Sequence, residues 1–135
     1  MKSSSIPFEK RPTYDELINS VNEGFSQFKK QLPKVALEIY GQGGKEPFVK
    51  GQSEDEWCWI NIFDYPGSQE SNNDCQFTCA IESRGDDLFS AITTYALGKK
   101  FGKVICDDAG YLAAGREFTI HEFESELKKK LLLLN

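Results

Sequence analysis

The stretch WCWINIFDYP, residues 57 to 66, sets the first constraint on the fold. Read as a strand, it puts Trp57, Trp59, Asn61 and Phe63 on one side and Cys58, Ile60 and Ile62 on the other, because side chains alternate along extended backbone. Both sides are apolar. A strand buried on one face alternates apolar with polar, so this one has two covered faces or keeps one apolar for another reason. The turn residues Asp64-Tyr65-Pro66-Gly67 stop it.

Around that strand the chain divides into elements with local signals. Thr13 and Glu16 form a capping box, and Leu17, Val21, Phe25, Phe28 and Leu32 follow as the apolar stripe of a first helix that Pro33 ends. VALEIYG alternates as a strand, GQGG turns, and a short FVK adds a second strand before the acidic loop QSEDE. After WCWINIFDY, the run PGSQESNND reads as an exposed hairpin loop and CQFTCAIES as the fourth strand. Asp86 or Asp87 caps a second helix striped by Leu88, Ile92, Tyr95 and Ala96. KVICDDAG is a short strand closed by a turn, and YLAAGREF, across residues 111–118, is a further strand or an extended connection. Thr119 and Glu122 box the last helix, striped by Ile120, Phe123, Leu127, Leu131 and Leu134.

The order α-β-β-β-β-α-β-α predicts a two-layer α+β domain, a mainly antiparallel sheet of four to five strands with three helices on one face. The opposite face is then the open one, with Trp57, Trp59, Phe63 and Tyr40 as its candidates. At 135 residues the chain is the size of one domain, with residues 1–11 read as a loosely docked arm. That arm has no apolar segment of a secretory signal, and no apolar run approaches the roughly 20 residues of a membrane span. A cytoplasmic location follows as the expectation. Cys58, Cys75, Cys79 and Cys106 all sit in apolar strand-like segments; Cys75 and Cys79 would lie about 13 Å apart in one strand, too far to pair. Reduced thiols are expected. With one histidine and no CxxC pair, neither a metal nor another cofactor is expected.

The net charge of −5 is distributed unevenly. Residues 1–53 carry +2, residues 54–87 carry −8 and residues 88–135 carry +1. The acidic block contains the aromatic strand, which argues against direct nucleic-acid binding there and for a basic partner or a solvated face. Two readings of the aromatics stay open. Trp57 and Trp59 are covered by the arm or the loop, or they anchor an interface with Tyr65, ringed by Glu54, Asp55, Glu56, Asp64, Glu70 and Asp74.

Other constellations read as structure. His121 lies in a helix first turn beside Glu122 and Glu124, with no GxSxG-type nucleophile motif. Asp107-Asp108 at a strand end could open a ligand or metal pocket, but Asp-Asp-Ala-Gly is also turn chemistry. GQGG lacks the Lys-Ser/Thr of a phosphate loop. KKKLLLLN is too short to span a bilayer and its lysines suit a helix C-terminus.

In RGDDLFSAITTYALGKKFGKVICDDAG followed by FTIHEFESELKKKL, the chain resembles the small acidic immunity proteins of bacterial toxin systems, including those paired with contact-dependent growth inhibition toxins. The resemblance covers roughly the last fifty residues, as an Asp-capped helix, a Gly-bounded strand ending in Asp-Asp and a capped final helix. It implies a non-catalytic cytoplasmic protein that binds one cognate toxin domain and blocks it. A basic nuclease would suit the acidic block as a phosphate mimic. The competing expectations are a small ligand-binding domain or enzyme with a pocket near Asp107-Asp108, and an adaptor for another basic protein.

Overall fold

The first strand is the residues expected to be an arm. In the computed structural model, which describes residues 2–40, 44–64, 76–108, 110–113 and 115–133, β1 (Lys2–Phe8) lies inside the sheet, between β5 (Phe77–Ser83) and β6 (Val104–Asp107). Its alternation is hidden by serines: Ser4, Ile6 and Phe8 are fully buried, while Ser3, Ser5 and Pro7 face the other way. Ser4 can be buried because its hydroxyl meets that of Thr94 at 2.8 Å. Pairing with β5 runs the whole strand, but pairing with β6 is confined to Ser5 and Cys106, since Pro7 has no N–H to extend that ladder.

The remaining strands are β2 (Lys34–Tyr40), β3 (Gly44–Lys50), β4 (Trp57–Asp64) and β7 (Arg116–Thr119). All pair antiparallel in one seven-stranded sheet of order β2-β3-β4-β5-β1-β6-β7. The α+β class therefore holds, with seven strands where four to five were expected. FVK proves to be the end of a seven-residue strand, and the ambiguous 111–118 segment divides into a turn and β7.

Since β5 and β6 flank the antiparallel β1, they run parallel to each other and their connection must cross a face of the sheet. That connection is α2 (Asp87–Phe101), capped by Asp86, whose Oδ1 accepts from the Leu88 N–H at 3.1 Å. Every residue from 89 to 98 is buried. A single stripe of Leu88, Ile92, Tyr95 and Ala96 thus misjudges this helix; Leu88 is only half-buried, and Phe89, Ala91 and Leu97 are core residues. An all-buried helix must be covered on its outer side too. Here α1 (Tyr14–Gln27) and α3 (Ile120–Leu133) do so, the Phe25 ring packing tilted against Phe89 at 5.1 Å. Thr93 and Thr94 are buried without loss because they donate to the Phe89 and Ser90 carbonyls one turn back. Gln27 ties the three helices together: it donates to Glu124 of α3 and accepts from Tyr95 and Lys99 of α2.

The first helix stops at Gln27, short of Leu32 and Pro33. Lys29 takes a left-handed conformation (φ 58°), the Lys30 N–H reaches back to the Phe25 carbonyl and the Lys29 N–H to Ser26. This is a Schellman ending with lysine in the place glycine usually takes. Phe28 still packs on the core, whereas Leu32 is left exposed.

Both capping boxes form as expected, at Thr13/Glu16 and Thr119/Glu122. The backbone N–H bonds from Thr13 and Thr119 are the largest cause holding Glu16 and Glu122 below the usual carboxylate range. A carboxylate depressed in the folded state contributes stability above its unfolded pKa and loses it as pH falls through the folded value. Thermal melts are therefore expected to show falling stability below about pH 4. Glu16→Gln with Glu122→Gln, which keeps the acceptor and removes the titration, should flatten that limb. An unchanged slope would refute the assignment.

Candidate functional site

The acidic block begins on the turn at residues 51–56, between β3 and β4, and its backbone is tied at several points. The Gly51 N–H donates to the Glu56 carbonyl at 2.6 Å and the Glu56 N–H to Ser53 at 3.1 Å. Glu56 Oε1 accepts from the Gln52 and Ser53 N–H groups at 3.0 and 3.2 Å. From the neighbouring connection, the Asp86 N–H donates to the Asp55 carbonyl at 2.7 Å. Gly85 permits this approach, because a Cβ there would overlap the Asp55 carbonyl oxygen. Glu56 is accordingly a structural member of the turn, while Glu54 and Asp55 project into solvent.

The helix-facing side of β4 is Cys58 and Ile60, both in the main core; Trp57, Trp59 and Phe63 face away from the helices. Trp59 does not lie open there. It is 5% exposed, with its ring 5.6 Å from Phe48 and 5.5 Å from Trp57. Its interface role therefore gives way to a covered one: Trp59 is the middle of a second, smaller apolar cluster on the open face. Trp57 is half-buried and retains contact surface.

The surroundings of Trp57 are not simply acidic. Register places Lys50 of β3 opposite it, and Arg84, whose N–H donates to the Trp57 carbonyl, lays its guanidinium 6.0 Å from the indole ring. Glu82 stands opposite Trp59 in the next row. Sequence reading missed Phe48, Lys50 and Arg84, which become neighbours of the tryptophans only through strand register. The alternation of FVK was the one signal that could have suggested Phe48.

Asp64 is exposed, but at the far end of β4, seven steps or about 23 Å from Trp57. It cannot share one compact contact with Glu54 and Asp55. Tyr65, Glu70 and Asp74 lie outside the described residues, as do Cys75, Leu134 and the Tyr40 side chain.

Compared with protein-family models, with curated proteins and with solved structures, the chain matches none, so its fold and site rest on its own residues.

Three further features bear on alternative sites. Asp107 is fully buried and spends both oxygens on a turn: Oδ1 accepts from the Tyr111 N–H at 2.8 Å, and Oδ2 from Leu112 and Ala113 at 2.8 and 2.9 Å. Asp108 is exposed and accepts from the Ser5 hydroxyl at 3.1 Å, so the two carboxylates do not converge. His121 is exposed on the first turn of α3. A cavity of about 360 Å³ opens beside the acidic turn, lined in part by Phe25, Phe89, Leu131, Lys30, Glu56 and Asp86. Of the cysteines, Cys58 and Cys79 are free and buried, and burial pushes the Cys58 thiol up to about 12, which leaves it inert. Among the described residues no helix is long and apolar enough to cross a membrane.

The two indoles should behave differently. Acrylamide is expected to quench one component of the tryptophan emission, that of Trp57, and Trp57→Phe should leave a spectrum that resists quenching. Two equally accessible components would contradict the burial of Trp59.

Proposed function

We propose that the protein is the cytoplasmic immunity partner of a basic toxin domain, and that it holds this domain with the turn at 51–56 and the Trp57 end of the open sheet face. The observation that carries this reading is the tied acidic turn. Its backbone is fixed from within and from the Asp86 side, so Glu54 and Asp55 are presented with little ordering left to do on binding. Such charges steer a cationic partner and set the association rate. Trp57 and Arg84, of the residue types that dominate binding energies, supply adjacent contact surface. The role is stoichiometric and non-catalytic. The alternative pocket at Asp107-Asp108 draws no support from the geometry, because Asp107 is committed to its own turn.

The test is co-production with a toxin domain encoded beside this protein's gene. The chain should protect the producing cell, and Glu54→Lys with Asp55→Lys should slow association at least tenfold and remove its salt dependence, with the circular dichroism unchanged. Full protection and unchanged kinetics in that variant would remove the surface. An absent neighbouring toxin would remove the immunity reading.

A further inference from the structure

The sheet has two edges, and they are unequal. The β7 edge is four residues long, whereas β2 presents seven, KVALEIY, with no further strand beyond it among the described residues. Proteins usually blunt such an edge with proline, a bulge, charges or a covering segment. Here the described cover is one contact: the Tyr14 hydroxyl donates to the Val35 carbonyl at 2.9 Å. Two of the five exposed large apolar side chains among the described residues belong to this edge, Leu32 at 50% just before the strand and Leu37 at 43% within it. The carbonyl that Tyr14 reaches points off the sheet. By alternation, the backbone groups of Val35 and Leu37 point outward and those of Ala36 toward Phe48 of β3.

We propose that a second copy of the chain adds its β2 antiparallel to this edge, about a twofold axis at Ala36, joining two seven-stranded sheets into one. In that register Val35 of each copy exchanges both backbone hydrogen bonds with Leu37 of the other, and the apolar Leu37 side chains leave water. Lys34 is paired with Glu38, sequence positions of opposite charge, and the only residue to meet itself is Ala36. This self-complementary order selects a second copy over an unrelated strand, which the backbone groups alone would not. Tyr14 competes with the second copy, because its hydroxyl occupies the Val35 carbonyl that the incoming Leu37 N–H needs. The competition weakens the dimer, and removing that hydroxyl strengthens it.

Sedimentation equilibrium on the full chain tests this without any toxin, so its failure is separate from failure of the immunity reading. The wild type is expected to dimerise, Leu37→Lys to dimerise at least tenfold more weakly, and Tyr14→Phe at least threefold more tightly. The axis makes a sharper demand. Ala36 and its symmetry mate form a non-hydrogen-bonded pair with Cα atoms about 4.5 Å apart, within disulfide range. Ala36→Cys, with Cys75 and Cys106 replaced by serine, should therefore oxidise to a covalent dimer, and Lys34→Cys in the same background should not. A chain that stays monomeric as wild type and as Tyr14→Phe overturns the proposal, leaving the edge to some other strand or to none. So does a dimer that ignores Leu37→Lys and fails to cross-link at position 36.

Discussion

Asp107→Ala is expected to cost about 3–4 kcal/mol. Its carboxylate accepts three backbone N–H groups from the turn that follows β6, and it is fully buried. Hydrogen bonds to a charged acceptor contribute about 1.5–3 kcal/mol each, and the orphaned donors recover part of that by admitting water. The turn also carries Tyr111, whose hydroxyl donates to the Ile81 carbonyl and accepts from the Ser83 N–H, pinning the segment across β5. Burial pushes that phenol's pKa up, so it stays a donor at any ordinary pH. Urea unfolding should show the midpoint falling with an unchanged slope, and Asp107→Asn, which keeps an acceptor, should lose distinctly less. A loss below 1 kcal/mol for the alanine variant would mean that the turn does not depend on this carboxylate.

The second large effect is expected at Gly24, where α1 crosses α2. A Cβ added there would overlap the Cβ of Ala96, so the two helices approach as closely as they do only because one of them lacks a side chain at the contact. Replacing glycine within a helix ordinarily gains up to about 1 kcal/mol in propensity. In Gly24→Val that gain is reduced by β-branching, and overpacking costs about 1–3 kcal/mol, so a net loss of up to about 3 kcal/mol is expected. The Gln27 hub is one turn further along and would be pulled from Tyr95 and Lys99 as the helices part. Combining Gly24→Val with Ala96→Gly should restore part of the loss, giving a coupling of at least about 1 kcal/mol in a double-mutant cycle. Additive effects, or a stabilised Gly24→Val, would refute the close crossing.

What the sequence made legible was local. Thr13, Thr119 and Asp86 announced helix starts because a cap is a bond between a side chain and backbone two or three residues away, needing no tertiary partner. The Asp107 turn was readable for the same reason. What stayed hidden depended on distant residues. Ser4 looks like an arm residue until Thr94 receives it. The sheet-facing side of α2 looks polar at Ser90, Thr93 and Thr94 until those side chains are seen against β1 and β4, where Thr94 meets Ser4 and both threonines bond their own helix. The candidate site divides similarly. The charge excess was plain from composition, but its division between the turn at 51–56 and the far end of β4 follows from strand length, and the cations beside Trp57 follow from register.

The place of β1 also has a consequence for how the chain is made. Synthesis delivers this strand well before either of its neighbours, β5 and β6, and its buried Ser4 waits for a residue 90 positions later. Until β5, α2 and β6 have emerged, Ile6 and Phe8 have no native surface to cover them. Such long-range pairing is slow to form and leaves intermediates open to aggregation. A nascent chain of this protein thus holds the keystone of its sheet unused until β5, α2 and β6 have been translated, and the interval before closure is when it most needs a chaperone.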